Sequence, residues 1–142
     1  MDPRQQYNRQ WAFFYRLSGI AMNIYNTLHF GMGTAIYAKY FIYLTQKDGN
    51  NVQVNAQLPL YWKDEQLPTT CDIHLLLNGN IIVDLYSKDA DTNQTDREYL
   101  KNRMAITHCP YGMIINFKRE ILYSEWYVRD SQTGAIDKIK LL

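Results

Sequence analysis

The chain has 142 residues, about one domain's length, and is read as a single domain over residues 1–142. Lys and Arg total 15 and Asp and Glu total 14, so the formal net charge of +1 excludes a strongly basic nucleic-acid module and an acidic tail. With two cysteines, three histidines and no CxxC, the sequence argues against a structural zinc site.

Residues 7–29 carry apolar groups at helical spacing, with Phe14, Leu17, Ala21, Ile24 and Leu28 on one stripe. Gly31 and Gly33 supply a turn. Thr34 is placed to cap a second helix through AIYAKYFIYLTQ, which Lys47-Asp48-Gly49 ends. Val52 to Trp62 alternates and contains Pro59, as an edge strand does. After a turn at Lys63-Asp64-Glu65, Asp72 to Leu77 and Asn80 to Ser87 read as strands joined by the Asn78-Gly79 hairpin turn. Thr95 with Glu98 has the form of a capping box opening a helix to Thr107, and Pro110 blocks its continuation. Gly112 to Phe117 is nearly all apolar and is expected centrally in a sheet. Ile121 to Arg129 and Ala135 to Leu142 close the chain as two strands. The order is α-α-β-β-β-α-β-β-β, which implies an α+β mixed sheet flanked by helices. The helix at 95–107 crosses over to make the 112–117 strand parallel to an earlier one.

The opening segment has an acid at position 2 and Arg16 inside its short apolar run, so no signal peptide is expected. No apolar stretch is long enough to span a membrane. The expectation is a cytoplasmic protein with Cys71 and Cys109 as free thiols.

Gly31-Met-Gly33, Val54 to Pro59, the pair Asp72 to Leu76 and Ile81 to Leu85, and Gly112 to Phe117 together resemble strings of the GxxExxY family of the PD-(D/E)XK (restriction-endonuclease-like) nuclease superfamily. Gly31-Met-Gly33 between two helices is similar to its glycine element. Val54-Asn-Ala-Gln57-Leu-Pro59 resembles its V-x-x-Q-x-P strand. Asp72-Ile-His-Leu-Leu followed by Ile81-Ile-Val-Asp84-Leu resembles its "DLLV … IVVELKA" pair, and Gly112 to Phe117 its "GLLINF" strand. These run in the family's order over residues about 15–120. The resemblance implies a restriction-endonuclease-like fold and a metal-dependent nuclease site. It implies Asp72 and Asp84 as the surviving metal-binding acids for Mg²⁺. Several positions depart from the pattern, among them Lys39 where the glycine element has a Tyr and Asp84 where the paired strand has a Glu. Ile36 stands where the family has a helical Glu, Tyr86 where it has the Lys of acid-x-Lys, and Tyr99 where a site-facing Gln begins the later helix.

On their own chemistry, two carboxylates either side of a hairpin turn can hold a divalent cation by oxygen. Cleavage needs in addition a cation such as Lys to position water or stabilise charge on phosphate. Lys88 is the candidate replacement, although it sits one pleat beyond the expected place, ~7 Å along the strand. No acid occurs between Asp2 and Asp48, so neither opening helix can donate a metal-binding carboxylate. His74 shares a strand face with Asp72, and His108 and Cys109 adjoin in a loop before Pro110. Three readings follow. One is a degenerate nuclease-like domain with a binding or assembly role, its site filled by Tyr86 and Tyr99. Another is an active Mg²⁺-dependent nuclease using Asp72, Asp84 and Lys88. The third is a small-molecule-binding α+β domain with an aromatic pocket.

Partners are bounded by the last strands and the charge distribution. Tyr123, Trp126, Tyr127 and Val128 suit either a homodimer interface or cover for a sheet face. Residues 3–47 hold five basic and no acidic residues, which leaves phosphate-backbone contact open to the first two helices.

Overall fold

A computed structural model describes residues 3–139. Two helices, α1 (Pro3–Leu28) and α2 (Thr34–Lys47), precede the strands β1 (Val52–Trp62), β2 (Glu65–Leu77) and β3 (Ile81–Tyr86). Helix α3 (Gln94–Thr107) then leads to β4 (Tyr111–Phe117), β5 (Leu122–Arg129) and β6 (Ile136–Lys138). The six strands form one sheet in sequential order, and only β3 and β4 are parallel. The α3 crossover produces that parallel pair, as the sequence order requires. The observed architecture is the expected α+β mixed sheet flanked by helices. Among the described residues no helix is long and apolar enough to cross a membrane.

The helices lie on both faces because β4 is apolar on both. Met113, Ile115 and Phe117 join Phe14, Leu17, Ala21 and Ile24 of α1 and Tyr37 and Phe41 of α2. The Tyr37 and Phe117 rings stack at 4.1 Å. Ile114 faces the other way, with Ile82, Leu100 and Met104 under α3. Full burial of each such side chain contributes about 1.5–3 kcal/mol before entropy is counted. Gly112 lets α3 approach the sheet, since a Cβ there would lie 2.6 Å from the Met104 sulfur and 3.0 Å from Leu100 Cδ1.

Two aromatic residues of β5 pack within the chain. Trp126 stacks on Phe14 at 6.0 Å and donates to Ser18 Oγ at 3.2 Å, while Tyr127 is buried in the α3-side core.

Several boundaries differ from the sequence reading, among them the start of α1 at Pro3 instead of residue 7. β2 begins at Glu65, because Glu65 and Thr70 pair back to Trp62 and Pro59 beyond the core. That part of the hairpin is mostly exposed, so no buried-face alternation marks it. Gly33, and not Thr34, is the N-cap of α2, with no side-chain cap bond. Helix α3 is capped by Asn93 with Asp96, two residues before the expected Thr95 and Glu98. The last strand covers only Ile136–Lys138, and the expected continuation over 140–142 lies outside the described residues.

Candidate functional site

β2 and β3 pair only at Leu77↔Ile81 and Leu76↔Ile82. Beyond those pairs β2 stays with β1 and β3 stays with β4, and the sheet opens into a fork. A cavity of about 300 Å³ occupies its mouth. Asp72 and His74 line it from β2, Asp84 and Tyr86 from β3, and Tyr99 and Arg103 from α3. Asn55 of β1 closes the remaining side in the left-handed region (φ 55°), a conformation that Asn tolerates better than most residues. Its Oδ1 lies 3.3 Å from His74 Nδ1.

The two acids of the resemblance therefore line one cavity, in different surroundings. Asp72 is exposed at the rim. The Asp84 side chain is 10% exposed and ion-paired with Arg103, whose side chain is 8% exposed. Helical spacing builds the Arg103 position: Tyr99 lies one turn earlier, its ring centroid 3.7 Å from the guanidinium carbon. Arg103 Nε donates to the Tyr99 carbonyl at 3.2 Å, and Nη2 donates to Asp84 Oδ2. Burial pushes the Asp84 carboxyl above its ordinary range, and the Arg103 charge opposes that rise without cancelling it. Burial, then the charges of Asp84 and Asp96, push the Tyr86 phenol up to about 12.

Lys88 lies in the loop after β3, with Nζ bonded to Asp96 and 5.0 Å from the Tyr86 ring centroid. Its backbone N–H donates to Asn116 Oδ1 at 3.3 Å, and Asn116 in turn donates to the Ala90 carbonyl at 2.9 Å. Lys118–Asp91 and Arg119–Asp89 ion pairs tie the rest of this loop to the β4–β5 turn. Asp96 is the group that holds Lys88. It also accepts from the Asn93 N–H at 3.1 Å, completing the cap of α3. Tyr86 is half-buried and Tyr99 is 56% exposed, so Arg103, more than either ring, covers Asp84. Ile36 sits half-buried on α2, across the sheet from α3, and does not line the cavity.

A divalent cation bound through protein oxygens needs several of them to converge. Among the described residues no three His, Cys, Asp or Glu side chains converge on one point, and Asp84 already faces a guanidinium. The residues as arranged do not fit a metal ion. His108 stacks on Tyr61 at 4.0 Å, and Cys109 is buried with its thiol pushed up by that burial, so this neighbouring pair makes no metal site.

Sequence reading missed two arginines and an acid on the α3 side. Arg103 was legible as the residue one turn beyond Tyr99. On β5, Glu125 lies between Tyr123 and Tyr127 at strand spacing, so all three share the face toward α3. Both hydroxyls donate to its carboxylate at 2.5 Å, and Arg97 grips it at 2.7–3.0 Å through Nε and Nη2. Burial alone would raise the Glu125 carboxyl. The bonds from Arg97, Tyr123 and Tyr127 and the charge of Lys138 outweigh it and hold it at about 2.

A sequence model of the PD-(D/E)XK nuclease superfamily matches residues 12–128. No curated protein and no solved structure matches the chain.

Proposed function

The chain belongs to the PD-(D/E)XK nuclease superfamily, and from that premise we propose that it is a nuclease-like domain with a degenerate catalytic centre and a binding role. The observation that carries this reading is the buried Asp84–Arg103 pair. A guanidinium takes the carboxylate contacts that a catalytic cation would use, and it cannot leave as a hydrated ion does. Tyr86 stands in place of a Lys and Lys88 is committed to Asp96, so among the described residues lining the centre none offers a free cation for water or phosphate. Within the superfamily we assign the chain to the GxxExxY family as a divergent member. Gly31-Met-Gly33, Val54 to Pro59, the Asp72 and Asp84 strands and Gly112 to Phe117 support this assignment by their order.

The test is a cleavage assay on single- and double-stranded DNA and RNA with Mg²⁺ and then Mn²⁺. The expected result is no cleavage above buffer. Cleavage that disappears in Asp84→Ala overturns the degenerate reading.

A further inference from the structure

Helix α2 is apolar on two sides, and the core uses one of them. Tyr37, Ala38 and Phe41 are buried. On the outer side Tyr40 and Tyr43 stand 46% and 60% exposed, beside Lys39 and Lys47. A helix that is apolar all round is normally covered all round. Next to these rings a groove of about 470 Å³ runs between α1 and α2. Arg16, Gly19, Ile20 and Asn23 line it from α1, at the i, i+3, i+4, i+7 spacing of one helix face. Leu44 and Lys47 line it from α2, one and two turns beyond Tyr40.

The floor of the groove is Gly19 with half-buried Ile20 and Leu44. At Gly112 the absent Cβ is explained by Met104 and Leu100. At Gly19 a Cβ would meet nothing within 4 Å, and the backbone is helical, so neither packing nor a left-handed φ requires glycine there. Glycine inside a helix is destabilising. Its one structural effect at position 19 is a low floor on which another backbone can close.

Charge selects what closes on it. Asp48 is the one acid lining the groove, and Arg16 holds both its oxygens at 2.8 and 3.0 Å. Residues 3–47 contain no acid. Lys39 and Lys47 are exposed, and among the described residues no ion pair uses either. A second copy of this chain seated on the groove would bring the same two lysines and no free acid. A phosphate chain would answer the lysines and leave the tyrosines and the glycine floor unexplained. A helix with acids beside an apolar stripe answers all three.

We propose that the α1–α2 groove is a docking site for an acidic amphipathic helix of a partner protein. The apolar stripe of that helix lies over Gly19, Ile20 and Leu44 and against Tyr40 and Tyr43, and its carboxylates meet Lys39 and Lys47. The proposal gives a partner to the binding role proposed above, on which it rests for its purpose, and it does not use the Asp84 centre.

The test is selection from a display library of helical peptides on the full chain in EDTA, with the Gly19→Leu variant as counter-target. The new side chain fits open space in the free protein and raises the floor against a docked backbone. Melting followed by circular dichroism, at or above the parent temperature, checks that the variant is folded. Should it melt lower, Tyr43→Ala, at an exposed site, takes its place as counter-target. Enriched peptides are expected to carry apolar residues at i, i+3 or i+4, and i+7, with Asp or Glu beside them. By fluorescence anisotropy Tyr43→Ala should weaken the best peptide about 5- to 30-fold. Lys39→Glu with Lys47→Glu should weaken it at least as much and remove its salt dependence. No enrichment over the counter-target, enriched peptides without acids, or an affinity unchanged in Tyr43→Ala overturns the proposal. So does a dimer in light scattering that Gly19→Leu dissociates, because a second copy then fills the groove. So does an oligonucleotide that binds tighter than any peptide and loses affinity in Tyr43→Ala. Asp84-dependent cleavage of DNA or RNA on adding Mn²⁺ would overturn the degenerate centre alone and leave the groove standing.

Discussion

Asp84 and Glu125 lie in one row of the sheet, either side of Ile114, through the register Asp84↔Ile114↔Glu125. Each is buried under α3, and each meets an arginine from that helix. Their carboxyls nevertheless move in opposite directions, Asp84 up and Glu125 down to about 2. Burial penalises both charges. Donor number separates them: Asp84 has a side-chain hydrogen bond from Arg103, with the His74 charge adding to it, while Glu125 has two bonds from Tyr hydroxyls, a two-nitrogen grip from Arg97 and Lys138 at 3.7 Å. A buried carboxylate stays charged where enough donors replace its lost water. By that measure Glu125 belongs to the framework, and Asp84 is the acid whose charge the fold supports less well.

The largest expected effect comes from removing the better-supported acid. Glu125→Leu leaves Arg97 without its carboxylate and two tyrosine hydroxyls without an acceptor, and should cost about 3–5 kcal/mol by urea denaturation. A loss below 1 kcal/mol would mean that the two carboxylates are equivalent.

The pH dependence of stability follows from the same contrast. Glu125 is depressed from 4.5 to about 2, so its stabilisation is present in full above pH 4.5 and is lost as pH falls through 2. The size is on the order of 3 kcal/mol. Asp84, held above 3.8, contributes with the opposite sign, since stability declines as pH rises from 3.8 through its folded value. Denaturation across pH 2 to 5 should show a slope that Glu125→Gln flattens and Asp84→Asn steepens. A slope unaltered by either substitution removes the distinction.

The smallest expected change is in a double variant. Asp84→Leu alone leaves Arg103 buried and unpaired and should be destabilising. Asp84→Leu with Arg103→Met should recover to within about 1 kcal/mol of the parent or exceed it, because hydrophobic replacement of a buried pair is often neutral. A double-mutant cycle with no recovery would show that the pair holds the fork together.

Much of this was legible in the chain because it depends on neighbours in sequence. Period 3.6 marked α1, period 2 and Pro59 marked the β1 edge, and Asn78-Gly79 fixed the hairpin that sets Asp72 and Asp84 on adjacent strands. The apolar run at 112–117 announced a strand buried on both faces. The α3 cap was misplaced by two residues because Asn93-x-x-Asp96 and Thr95-x-x-Glu98 offer the same local chemistry. In the structure Asp96 serves both the cap and Lys88, a contact no local pattern shows. The outer half of β2 escaped notice because a hairpin that leaves the core has no buried face to write a pattern.

The sequence by itself determined the order of elements, the parallel crossover and the two strands that carry the acids, since periodicity and turn chemistry are local properties. The tertiary structure alone decided that Arg103 reaches Asp84 across 19 residues and that Lys88 turns to Asp96. It also decided that Gly19 of α1 and Leu44 of α2 share one groove. Side-chain partners are chosen by the packing distance between helix and sheet, here set by the absence of a Cβ at Gly112, and no local pattern encodes that distance.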